Sequence, residues 1–97
     1  MMENLKNLEK TAKALSDINR LKILELLASQ GGTGPCSSIQ DCLNLAQPSV
    51  SHHLKILQEA GLIRAEKAGR QYTYTLQPTV FKNFISGISF GMVPVSG

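Results

Sequence analysis

The hydrophobic period of this chain changes once and changes back, and few folds accept that order. From Leu5 to Leu57 apolar side chains recur three or four residues apart, the spacing of a helical stripe. In LIRAEK and QYTYTL they alternate as strands do around the turn AGRQ, and from Pro78 the helical spacing returns. The expected order is four helices, a β-hairpin and a last helix.

Punctuation between these stretches supports the division. Leu5, Leu8, Ala12 and Leu15 lay a stripe along the first helix. Ser16 and Asp17, both good N-caps, precede a second helix carrying Ile18, Leu21, Leu24 and Leu27, which should stop before Gly31 and Gly32. GGTGP is expected to be a flexible connector. Ser37 and Gln40 fit a capping box and open a third helix to about Leu45, with Ile39 and Leu43 buried. Pro48 falls in the first turn of a fourth helix, which carries Val50, Leu54 and Leu57 on one face and is stopped by Gly61. Gly69 serves the hairpin tip. The last helix presents Val80, Phe81, Phe84, Ile85 and Ile88, and the tail SFGMVPVSG should fray.

Two short helices joined by a tight turn form a helix-turn-helix, and a following hairpin makes it winged. The expected fold is therefore mainly α with a β-hairpin (α+β), a winged helix-turn-helix with a helix added at each end. It should be one domain over 1–97, with the helix-turn-helix at about 37–60, the wing at about 62–76 and the outer helices at about 3–15 and 78–90. A chain of 97 residues buries a modest fraction of its surface, and oligomerisation commonly completes such a core. Leu5, Leu8, Phe81, Phe84 and Ile88 on the outer helices are expected to form an isologous homodimer interface.

The formal net charge of +3 is unevenly placed. Basic and acidic residues balance up to Ala46. Beyond it Lys55, Arg64, Lys67, Arg70 and Lys82 face only Glu59 and Glu66, so the positive field points from one part of the molecule. A major groove admits one helix whose outer face offers hydrogen-bonding side chains to base edges. In QPSVSHHLK the residues Gln47, Ser49, Ser51, His52 and Lys55 can face outward while Val50 and Leu54 anchor the helix. Lys67, Arg70 and Gln71 at the hairpin turn suit phosphate or minor-groove contact. The expected partner is double-stranded DNA. His52 and His53 point about 100° apart on a helix and cannot share one metal from the same face. For His53 a structural imidazole and a phosphate contact both remain open. The sequence shows neither a run long enough to span a bilayer nor a signal-peptide core. Its two cysteines read as free thiols, so a cytoplasmic protein without membrane contact is expected.

Three segments, ALSDINRLKILELL, AQPSVSHHLKILQEAGLI and RAEKAGRQYTYTL, resemble in order and spacing the signatures of arsenic-responsive (ArsR) repressors over roughly residues 14–76. Asp17, Arg20 and Leu21 match that family's second helix, Ser51, His53 and Leu54 its recognition helix, and Arg70 and Tyr74 its hairpin. The resemblance implies a winged-helix dimer that pairs its first and last helices, binds an imperfect palindrome and releases it when an inducer binds. Ala46 departs from the family, which commonly has a capping serine there; Gln47 or a connector carbonyl would have to compensate.

Metal-sensing members carry a cysteine cluster at the third helix or an Asp and His set on the last. Here PTVFKNFISGISF holds no His, Cys, Asp or Glu, which argues against zinc or nickel between the last helices. Cys36 and Cys42 lie in the right neighbourhood without the close Cys-x-Cys spacing. Cys36 is expected near a helix N-terminus, a position that can raise thiol reactivity. Cys42 is expected on a helix turn near the core. Passive packing, thiol sensing and soft-metal binding are all open to the pair. No pattern calls for a cofactor, and both histidines sit on the recognition helix, which leaves no base for an enzyme. The other class to weigh is a winged helix serving as a protein-interaction module of a transcription assembly, without base readout.

Overall fold

The computed structural model describes residues 2–92 and contains α1 (Met2–Ala14), α2 (Ile18–Ser29), β1 (Thr33–Pro35), α3 (Cys36–Leu43), α4 (Gln47–Glu59), β2 (Ile63–Ala68), β3 (Gln71–Leu76) and α5 (Pro78–Ile88). The winged helix-turn-helix order is the one the periodicity predicts, with one strand added.

That strand replaces the expected flexible connector. Gly31 and Gly32 turn the chain with φ of 82° and 96°, and Thr33–Pro35 then pair antiparallel with β3, giving a three-stranded sheet in the order β1-β3-β2. Thr33 stands opposite Thr75 and Gly34 opposite Tyr74. Leu76 N–H donates to Gly32 O at 2.8 Å, and the Thr33 and Thr75 hydroxyls meet at 3.0 Å. Proline is tolerated in such an edge strand because its missing N–H removes no interior ladder bond. Gly34 has a packing reason, since a Cβ there would lie 3.2 Å from a methyl of Leu27.

The helix ends follow local chemistry. Asp17 caps α2, its carboxylate accepting from the N–H groups of Asn19 and Arg20 at 2.8 and 3.3 Å. The expected capping box at Ser37 is not formed. Instead α3 starts two residues earlier, with Pro35 at the cap position and no side-chain cap, and Gln40 turns its amide to donate to Leu45 O at 2.7 Å. Asn44, in the left-handed region at φ 51°, ends α3 two residues short of the expected limit. Ala46 opens α4 with no side-chain cap, and Gln47 does not supply one. At its other end Gly61 (φ 76°) donates to Gln58 O and Leu62 N–H to Leu57 O, a Schellman pair that leaves Leu57 and Leu62 both fully buried.

Ile23, Leu24 and Leu27 of α2, Ile39 and Leu43 of α3, Val50, Leu54 and Leu57 of α4, and Leu62, Ile63 and Tyr74 of the hairpin form the core. Two expected stripes are rotated. On α2 Ile23 is buried while Ile18 and Leu21 are exposed; on α1 Thr11 and Ala14 are buried while Leu5 and Ala12 are exposed. Tertiary packing selected a neighbouring face in each case, because the apolar spacing on these helices allows more than one. No residue of α5 is fully buried among those described. Val80 and Phe81 touch the core, and Ile85 and Ile88 face outward. Of the tail expected to fray, residues 93–97 lie outside the described part.

Candidate nucleic-acid interface

Val50, Leu54 and Leu57 hold α4 against the core; His52 and Lys55 are exposed on the opposite side, Ser49 and Ser51 on its flanks, and Gln47 is exposed in the first turn. All five are hydrogen-bonding residues, and the acidic Glu59 comes only at the far end of the helix.

The hairpin carries the second part of the surface. Gly69, at φ 65°, and Arg70 are the two turn residues between the paired Ala68 and Gln71, an arrangement in which glycine meets the positive φ of the first turn position. Lys67, Arg70 and Gln71 are all exposed at this tip. Lys67 pairs with Tyr72, and its ammonium lies 5.8 Å from the centre of that ring. Tyr72 in turn stacks on Tyr74 at 6.4 Å. Burial above all, then Cys36 and Tyr72 nearby, pushes the Tyr74 hydroxyl above the ordinary tyrosine range. Arg64 is bridged to Glu66 at 2.7 Å and is less available to a polyanion. The role of Tyr72 was missed in the sequence, although the alternation in QYTYTL puts it on the same face as Tyr74.

His53 turns away from the exposed set. Its side chain is about 12% exposed, and Nδ1 lies 3.2 Å from the Arg20 guanidinium and 3.9 Å from the Asp17 carboxylate. Of the two roles left open for it, the geometry favours the structural imidazole. Burial opposes ionisation of Asp17, but the N–H bonds from Asn19 and Arg20, with His53 and Arg20 close by, outweigh it and hold the carboxyl below its usual range. Arg20 matched a family motif in the sequence, yet its histidine partner is 33 residues away and no local pattern announces the pairing.

The cysteines separate. Cys36, the first residue of α3, is half-buried against the core, whereas Cys42 is exposed, contrary to the expectation that it lies near the core. The helix from Cys36 to Leu43 is unbroken, and a rise of about 9 Å over six residues exceeds the span of a disulfide, so the two cannot bridge within one chain while α3 is intact. No group of three or more His, Cys, Asp or Glu residues suited to a metal ion occurs among the described residues, and none of their helices is long and apolar enough to cross a membrane. A groove of about 970 Å³ runs between α1 and α5, lined by Leu5, Leu8, Val80, Phe84 and Phe90 among others.

A helix-turn-helix domain family matches residues 15–66. The transcriptional repressor SdpR of Bacillus subtilis is 40% identical over 74 residues, covering 76% of this chain and 80% of SdpR. The arsenical resistance operon repressor of Staphylococcus aureus is 33% identical over 84 residues, covering 87% and 79%. Among solved structures, HlyU from Vibrio cholerae superposes with a TM-score of 0.74 at 28% identity over 93% of this chain and 96% of its own. A homodimeric winged helix-turn-helix DNA-binding domain from Mycobacterium bovis gives 0.72 at 26%, over 91% and 81%. SdpR and the arsenical resistance operon repressor are repressors, and this protein, sharing their helix-turn-helix domain, is a regulator of that kind and not an enzyme. Sequence identity of that extent across the helix-turn-helix and wing, on a backbone of the same topology, makes this chain a member of the ArsR family of winged helix-turn-helix transcriptional repressors.

Proposed function

We propose that this repressor acts in the cytoplasm as a homodimer on a palindromic operator, with α1 and α5 as the dimerising helices. Each α4 enters a major groove, and each hairpin touches the flanking backbone. The observation that carries this reading is the outward set Gln47, Ser49, Ser51, His52 and Lys55 beside the exposed Lys67 and Arg70 of the tip. A twofold dimer presents two such helices, so its operator repeats with the same symmetry at about one DNA turn. The homodimeric domain from Mycobacterium bovis supports the assembly.

A mobility-shift titration on the DNA upstream of its own gene tests this directly. Gln47→Ala and His52→Ala are expected to relax sequence preference, each base contact being worth about 1–3 kcal/mol, while Arg70→Ala lowers affinity for every sequence and reduces the salt slope by about one. Parent-like binding by all three variants would remove the groove assignment, and failure of the parent to shift the DNA would favour a protein-interaction module.

The effector step in this reading is modification of Cys36 or Cys42 by a thiol oxidant or a thiophilic agent, each cysteine acting separately. Similarity to the arsenical resistance operon repressor supports it, as does the position of both thiols on α3, which packs on α4. Arsenite should weaken operator binding about 5–150-fold, the usual range of allosteric coupling. The Cys36→Ser, Cys42→Ser double variant should not respond; a full response from it would return both residues to a packing role.

A further inference from the structure

The last carbonyls of a helix have no partner within it. At the end of α1 two of them are taken by a side chain of the next helix: Arg20 Nε donates to Ala14 O at 2.7 Å and Nη2 to Lys13 O at 3.0 Å. The same guanidinium reaches in the other direction, where Nη1 lies 3.2 Å from His53 Nδ1 in the second turn of α4. Arginine carries only donors, so in this contact Nδ1 is the acceptor. Asp17, 3.9 Å from both Arg20 Nη1 and His53 Nδ1, holds the junction from the α2 cap. The Arg20 and His53 side chains are each about 12% exposed, so both are nearly withdrawn from solvent.

A guanidinium is planar and permanently charged, and its donors diverge at fixed angles, so three bonds to two helices constrain direction as well as distance. The helices joined here have different duties. One belongs to the dimerising pair and the other carries the groove-facing set. We propose that Arg20 is a positioning residue which, by clamping His53, fixes the angle of α4 against α1 and thereby the separation of the two half-sites that a dimer accepts. The half-site consequence rests on the dimeric operator reading; the angle does not.

One base pair added to the spacer rotates a half-site by about 35° around the DNA axis, so a stiff junction rejects it and a loose one follows. Four proteins test the clamp: the parent, Arg20→Lys, His53→Leu and His53→Asn. Lysine cannot reach two carbonyls and an imidazole at once, leucine removes the acceptor, and the asparagine oxygen stands close to where Nδ1 was. Residual dipolar couplings of the free protein give the orientation of α4 relative to α1. Titrations on operators with spacers longer or shorter by one base pair give the discrimination.

The parent and His53→Asn are expected to show one fixed α1–α4 orientation and to discriminate against altered spacers by about tenfold, the order of one mismatched base pair. His53→Leu and Arg20→Lys, folded and dimeric, should show reduced couplings for α4 in the α1 frame and discrimination below about threefold. Unchanged α4 orientation in His53→Leu overturns the clamp, as does a loss of order in His53→Asn equal to that in His53→Leu. Should the parent accept all spacers alike, the palindromic operator falls, and the couplings of the free protein still decide the clamp. A failure of Arg20→Lys to fold leaves the decision to the two His53 variants.

Discussion

Phe84→Asp is expected to yield monomers and to lower operator affinity by about two to four orders of magnitude, the avidity gained when two linked sites bind one DNA. The reason lies in the mismatch between α5 and the rest of the protomer. This helix carries Val80, Phe81, Phe84, Ile85 and Ile88, yet none of them is fully buried; Ile85 is 64% exposed, and Leu5 across the groove 54%. Exposed apolar area on two adjacent helices is what the proposed dimer would cover. The two helices are already drawn close, for a Cβ on Gly87 would stand 2.8 Å from a methyl of Leu8, and so α1 and α5 present one joint face. Phe84 lines the groove. An aspartate there would have to be buried without a partner or keep the subunits apart, and the second costs less. Sedimentation of parent and variant decides the matter, together with operator titration. A variant that still sediments as a dimer, or a parent that never does, would overturn the assignment.

Leu57→Ala is expected to destabilise the fold by about 2–5 kcal/mol, a large share of the stability of a small domain. Leu57 is fully buried, its carbonyl accepts from the Leu62 N–H in the Schellman pair, and its side chain joins α4 to the core shared by α2 and the hairpin. Truncation removes contacts that rigid neighbours cannot replace. Thermal unfolding should shift downward by about 10–30 °C. The contrasting variant is Leu21→Ala: 44% of Leu21 is exposed, and its loss should cost less than about 1 kcal/mol. Equal shifts for the two would mean that the buried face of α2 is the one with Leu21 and not the one with Ile23.

Much of this architecture is local and so legible in the chain. Asp17, Pro48, Gly61 and Gly69 act through backbone groups within a few residues, and each does in the structure what its position predicts. The outward His52 and Lys55 of α4 were legible for the same reason, since the spacing of Val50, Leu54 and Leu57 puts them on the far side of the helix. Capping was less secure. Ser37 has the right type and spacing, but Pro35, restrained in β1, already sets the start of α3.

The order of elements, the helix α4 and the hairpin tip could be read in the chain, because helical and strand periods and turn chemistry are properties of neighbours along it. Tertiary structure alone decided the rest. The strand Thr33–Pro35 exists only because β3 offers an unpaired edge some forty residues later. The buried face of α2 became Ile23's and not Leu21's, and Cys42 was left in solvent although its helix packs on the core. His53 was turned from the groove by an arginine two helices earlier. Each of these outcomes depends on a partner distant in sequence, and neither spacing nor propensity carries information about a contact that forms only when the chain closes on itself.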